Sequence, residues 1–115
     1  GEYLGECGVG ISETIGMGEV KKVSALEVWL FDKNDHQTDT KIFMSQLAYN
    51  DDETRLKLAK KGEPILADVG SEAILETQTL RLVVRVVDMK YGNGAMLKAS
   101  YFEHLTLEMA VWAKA

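Results

Sequence analysis

Apolar and polar residues alternate with a period of two along most of this chain. In residues 3–17 the apolar side chains fall on odd positions, while glycine and polar residues occupy even positions. Because successive strand residues point to opposite faces, this pattern predicts a strand with one buried face, and Cys7 belongs to that face. Five glycines within residues 5–18 indicate bulges, a bend, or a second layer packed closely on the small-residue face.

Residues 23–32 predict a central strand that is covered on both sides. Leu26, Val28 and Leu30 point one way and Trp29 and Phe31 the other, so both faces are apolar. A polar turn over residues 33–38 separates this strand from a second one over residues 39–45. The two segments together predict a hairpin.

The second half of the chain predicts four more strands, over residues 65–67, 73–75, 79–89 and 97–113. The last segment also fits helical spacing, but its alternation extends further, and a turn at Asn93-Gly94 would fold it back onto residues 79–89. We therefore predict a strand there. In that strand Phe102 and Trp112 lie on the more polar face, where exposed aromatic residues indicate an interface.

Residues 51–61 carry the clearest helix signal. Asn50 is a suitable N-cap, Glu53 completes a capping box, and Gly62 and Pro64 end the helix. Its apolar contact is predicted at Leu56 and Ala59, helped by Leu58 or Leu47.

These elements predict a mainly β protein with a minor α component. The expected architecture is an antiparallel β-sandwich or a partly open β-barrel, in which the one short helix plugs an end or covers an edge. Residues 1–115 form a single domain on this prediction.

Charge and composition limit the classes of partner and the location that we expect for this chain. The net charge is −5, and the densest basic clusters, Lys21-Lys22 and Lys57 with Lys60 and Lys61, lie among acids, which argues against nucleic acid as a partner. No apolar stretch reaches the roughly 18 residues of a spanning helix, so this segment is not expected to insert directly into a membrane. One cysteine favours a reducing, cytoplasmic location, and the alternative is the soluble part of a membrane protein. The start at Gly1, without a basic and apolar leader, predicts a domain excised from a longer chain.

No motif for a cofactor or metal is complete. The glycine-rich segments lack the third glycine of a dinucleotide loop and the lysine of a phosphate loop. Asp32, Asn34 and Asp35 are weak candidates for a cation, because Gln37 and Phe43 stand where a calcium loop needs glycine and glutamate. We therefore predict no cofactor and no metal.

Carboxylates on apolar strand faces are the remaining candidate chemistry. Glu27 and Glu103, like Glu13, interrupt such faces, and a carboxylate there is costly unless it is paired. Arg81 and Arg85 are the expected partners. The alternative is a pocket lined by Glu27, Arg81, Arg85 and Glu103 that binds a small ligand or supports acid–base catalysis.

With no catalytic constellation in the sequence, the favoured hypothesis is a non-catalytic accessory module. Its partners would be other domains of a parent chain or a second copy of itself. A small-ligand-binding β-barrel or a small enzyme with the Glu/Arg pocket is the alternative.

The segment EVWLFDKND at residues 27–35, followed by Phe43-Met44-Ser45 and Gly62-Glu63-Pro64, resembles a group of uncharacterised bacterial proteins. The resemblance extends from about residue 3 to residue 112. It implies a bacterial source and a domain cut from a longer chain, and it carries no activity or catalytic residue.

Overall fold

The computed structural model describes residues 3–15, 22–93 and 98–114, which form two β-sheets and two short helices. In chain order the elements are β1 (Gly5–Ile15), β2 (Lys22–Asp32), β3 (Thr38–Met44), α1 (Gln46–Asn50), α2 (Asp52–Ala59), β4 (Glu63–Leu66), β5 (Glu72–Glu76), β6 (Leu80–Tyr91) and β7 (Phe102–Ala113). One sheet has the order β1-β2-β3-β4 and the other β5-β6-β7. The predicted mainly β fold is confirmed, in its sandwich-like form.

The strand pairing is antiparallel except at one position. The β2–β3 hairpin forms and β6 pairs antiparallel with β7, as predicted, but β4 lies parallel to β3, with Phe43 opposite Ile65. Parallel neighbours need a crossover connection, and α1 and α2 supply it. The expectation of a wholly antiparallel sandwich is therefore wrong at this edge.

The main core lies between the two sheets. Alternate residues of β6 fill it from one side, and β2 and β3 fill it from the other. The buried members include Leu82, Val84 and Val86 of β6, Val28 and Leu30 of β2, and Phe43 of β3. The two-residue period of the sequence thus places every second side chain of these strands in the core.

A second, smaller core lies on the opposite face of the four-stranded sheet. Ala25, Ile42 and Met44 pack there against Ala48 of α1 and Leu58 of α2. The cover predicted for both faces of β2 is thus present. The helices lie on a sheet face, however, so the predicted position at an end or an edge is wrong.

The helical region is divided where one helix was predicted. Ser45 caps α1 by accepting a hydrogen bond from the Ala48 N–H at 3.2 Å, and Asp51 precedes α2, so Asn50 ends the first helix instead of capping the second. Leu58 is 1% exposed, whereas Leu56 is 65% exposed. Ala59 is exposed as well. The predicted contact at Leu56 and Ala59 is therefore wrong, and Leu58 holds the helix to the sheet.

The last strand is a strand, as predicted, but it begins at Phe102 instead of at residue 97. Ala99 has a φ of 55°, a left-handed conformation that does not continue a strand. Gly94, residue 97 and residues 16–17 of the first predicted strand lie outside the described residues.

Candidate functional site

Strand β1 has an inward face that the other sheet does not cover. Cys7 lies opposite Leu30 and Val9 opposite Val28, and directly opposed residues share one face of a sheet. Leu30 and Val28 are buried in the main core, yet Val9 is 45% exposed and Ile11 60% exposed. Cys7 is exposed as well, so its predicted burial is wrong.

The uncovered face follows from the unequal sizes of the two sheets. Four strands on one side meet three on the other, and the main contacts between the sheets join β2 to β7 and both β2 and β3 to β5. Strand β1 therefore projects past the edge of the smaller sheet. Its inward side chains are apolar, as core residues are, but within the described ranges no second sheet covers Cys7, Val9 and Ile11.

Strand β7 of the smaller sheet borders the uncovered face of β1. It is the outer strand of the three-stranded sheet, so one backbone edge carries N–H and C=O groups that no other strand of the described residues pairs. Val111 lies opposite the buried Leu82 and shares its inward face, but is 50% exposed. We call Cys7, Val9, Ile11, Val111 and Trp112 the open side.

At one end of the open side, β1 and β7 border a cleft of about 290 Å3. Its lining is mainly apolar and comprises Tyr3, Leu4, Gly5, Glu6, Cys7, Leu30, Leu80, Val111, Trp112 and Ala113. Trp112 is 43% exposed, as the sequence pattern predicted, but Phe102 is buried and stacks on Tyr91 with ring centroids 5.6 Å apart. The aromatic contribution to an interface therefore rests on Trp112.

The glycines of β1 allow close packing on its outer face. A Cβ placed on Gly8 would lie 2.5 Å from Cζ2 of Trp29, so only glycine leaves room for the indole ring. At Gly10 the nearest atom is Cγ of Glu27 at 3.6 Å, an ordinary contact. The pairing with β2 also shifts register between Ile11 and Thr14, as a bulge does.

The structure distributes the four proposed pocket residues over separate places. Glu27 lies on β2 beside Gly10, while Arg81, Arg85 and Glu103 belong to the other sheet. The clefts of about 290 and 270 Å3 in the described part of the chain are lined by none of the four, and a third, open cleft of about 420 Å3 is lined by Glu103 alone among them.

Each arginine has an acidic neighbour from its own sheet. Arg81 pairs with Glu76 at 3.2 Å, and Arg85 pairs with Glu108 at 3.0 Å. These pairs are exposed, so each contributes at most about 1 kcal/mol.

The acidic strand residues have lysine partners instead of the predicted arginines. Glu103 lies 3.6 Å from Lys90, and Glu13 forms an ion pair with Lys57 of α2. Pairing is therefore present at both carboxylates, but the arginine partners expected for them were wrong.

Asp32, a weak cation candidate, is fully buried and bonded to the turn between β5 and β6. Its Oδ2 accepts hydrogen bonds from the Thr77 hydroxyl at 2.8 Å, the Thr79 hydroxyl at 2.7 Å and the Thr79 N–H at 2.9 Å. Burial alone raises the pKa of this carboxyl, but the hydrogen bonds from Thr79, Thr77 and the Asn34 N–H outweigh it and hold the pKa well below its usual range.

Asn34 and Asp35 of the β2–β3 turn and Asp39 at the start of β3 bind the same segment. Asp35 accepts from the Gln78 N–H at 2.9 Å, Asp39 accepts from the Glu76 N–H at 3.0 Å, and the Asn34 amide donates to the Gln78 side chain at 3.3 Å. These carboxylates connect the two sheets. Within the described residues, no group of three or more His, Cys, Asp or Glu side chains is placed to hold a metal ion.

Comparison with family models, with curated proteins and with solved structures gives no match to this chain. In the described ranges, neither helix has the length and apolar character needed to cross a membrane.

Proposed function

We propose that this chain is a non-catalytic interaction domain whose open side accepts an extended segment of a partner. One observation carries the proposal: the inward face of β1 is apolar and uncovered, directly beside the free edge of β7. Such a surface is unusual for a protein that acts alone, because exposed apolar patches and unpaired strand edges mark interaction sites.

The geometry supports strand addition as the mode of binding. A strand paired with the free edge of β7 would lie about 4.8 Å from it and opposite β1. It would equalise the sheets at four strands and cover Cys7, Val9 and Ile11. Backbone hydrogen bonds would supply affinity, and alternate side chains facing β1 would supply selectivity.

The partner is an extended segment with apolar residues at every second position. We place it in another domain of the parent chain, in the reducing cytoplasm of a bacterium. Support comes from the resemblance around residues 27–35 and from the single cysteine, which is free in the structure.

Cys7 provides a direct assay, because it is the chain's one thiol and lies on the open side. The probe is a synthetic peptide of alternating valine and threonine with terminal lysines, as long as the 11 residues of β1. At a peptide concentration that gives roughly 90% occupancy, we expect alkylation of Cys7 to slow by about tenfold, because about one tenth of the protein is then free. The same peptide with a central proline should give no protection, because proline breaks the ladder.

Two lysine substitutions supply a matched pair. Val111 and Ile74 are each 50% exposed on strands of the same sheet, but Ile74 lies away from the open side. Val111→Lys should remove the protection of Cys7, and Ile74→Lys should preserve it. Equal protection in both variants contradicts the proposed site. A stable dimer in sedimentation equilibrium without peptide would mean that a second copy occupies it instead.

A further inference from the structure

A second cleft, of about 270 Å3, lies between the helices and the end of the four-stranded sheet remote from Asp32. It is separate from the open side. Ser24 of β2 and Ser100, just before β7, line it, together with Asp51, Thr54, Lys57 and Glu13 at the helices and β1.

Two buried hydroxyl groups of this cleft lack hydrogen-bond partners. Ser24 is 1% exposed and Ser100 2% exposed, and neither Oγ has a partner among the described residues. A hydroxyl group removed from water without a replacement bond is destabilising, so native proteins satisfy nearly all of them. Two such groups lining one cleft indicate that a bound molecule supplies the bonds.

The charged residues of the cleft limit the chemical class of the molecule that it can bind. Lys57 forms an ion pair with Glu13, whose hydrogen bond and charge raise the pKa of the lysine, so the ammonium stays protonated. The Asp51 carboxylate accepts from the Thr54 hydroxyl at 2.5 Å. Leu47 and Ala48 add an apolar wall.

We propose that this cleft binds a small neutral polyol. Hydroxyl groups of such a molecule donate to carboxylates and accept from an ammonium, and they both donate to and accept from serine. Its C–H surfaces fit the apolar wall. Cavities for drug-sized ligands begin near 300 Å3, so this one suits a smaller molecule.

The test is a titration of the full chain with glycerol, myo-inositol and glucose, followed by amide chemical shifts. One of these should shift the Leu47, Ala48 and Thr54 amides saturably, with a Kd in the millimolar range or below. Ser24→Ala and Ser100→Ala should each weaken binding by about tenfold, the loss of one good hydrogen bond. Neither should lower the Tm of the free protein, because the hydroxyls have no partners there.

Two variants complete the design. Ser12 also has a buried, unpartnered hydroxyl but does not line the cleft, so Ser12→Ala should leave polyol affinity unchanged. The Lys57 side chain is 61% exposed, so Lys57→Met should fold normally and weaken binding several-fold.

Two results would overturn the proposal. One is the absence of shifts at the cleft with all three polyols up to about 50 mM, a range that detects even weak binding. The other is a lower Tm for Ser24→Ala and Ser100→Ala with no polyol binding, which would assign the hydroxyls to ordered water. Neither result bears on the open side, where protection of Cys7 is measured separately.

Discussion

Replacing Thr77 with valine tests whether the buried Asp32 holds the two sheets together. Thr77 is 8% exposed, and its hydroxyl donates to Asp32 Oδ2 at 2.8 Å while accepting from the Leu80 N–H at 3.3 Å. Valine has nearly the same shape, so the substitution removes these bonds with little change in packing.

The expected decrease in the free energy of unfolding follows from the negative charge of the acceptor, the Asp32 carboxylate. A hydrogen bond to a charged group contributes about 1.5–3 kcal/mol to the free energy of unfolding. For a domain of this size, 1 kcal/mol shifts Tm by about 3–6 °C, so Thr77→Val should lower Tm by about 5–18 °C at pH 7. Urea unfolding followed by circular dichroism gives the free energy directly.

The pH dependence of this difference identifies the carboxylate as its source. Because the pKa of Asp32 is lowered in the folded protein, the stability it contributes is complete above its ordinary pKa near 4. The contribution is lost as pH falls from about 4 through the lowered pKa. The gap between wild type and Thr77→Val should therefore be constant from about pH 5 to 8 and narrow in strong acid.

Thr38 is the control, since it is an exposed threonine at the start of β3 with no side-chain hydrogen bond in the described structure. Thr38→Val should change the free energy of unfolding by less than about 0.5 kcal/mol. If Thr77→Val and Thr38→Val unfold at the same urea concentration, Asp32 does not link the sheets as described.

Two further substitutions test the packing with matched controls. Gly8→Ala should destabilise the protein by about 1–3 kcal/mol in urea unfolding, because its Cβ would overlap the Trp29 ring, whereas Gly10→Ala should be nearly neutral. Equal effects would remove the steric explanation for Gly8. Leu58→Ala should cost about 2–5 kcal/mol by emptying the helix-facing core, and thermal unfolding should show a far smaller effect for the exposed Leu56→Ala. A larger loss at Leu56 would mean that the other side of α2 faces the sheet.

The candidate site was only partly predictable from the sequence. Alternation correctly assigned Cys7, Val9 and Ile11 to the inward face of β1, since they lie opposite inward residues of β2. Nothing in that pattern states whether a second sheet reaches far enough to cover them. The polar turn at Asp32 and Asp35 was equally visible, but its hydrogen bonds go to residues more than 40 positions away, which composition cannot reveal.

The alternating pattern alone determined that this chain is mainly β, that β2 pairs with β3, and that both faces of β2 are covered. These features depend on the local geometry of a strand, which repeats every two residues and is written directly into the order of side chains. Tertiary structure alone decided that four strands face three, that α1 and α2 lie on a sheet face, and which carboxylate meets which base. Those outcomes depend on how separate segments are placed against one another, and periodicity within a segment carries no information about its distance from the next.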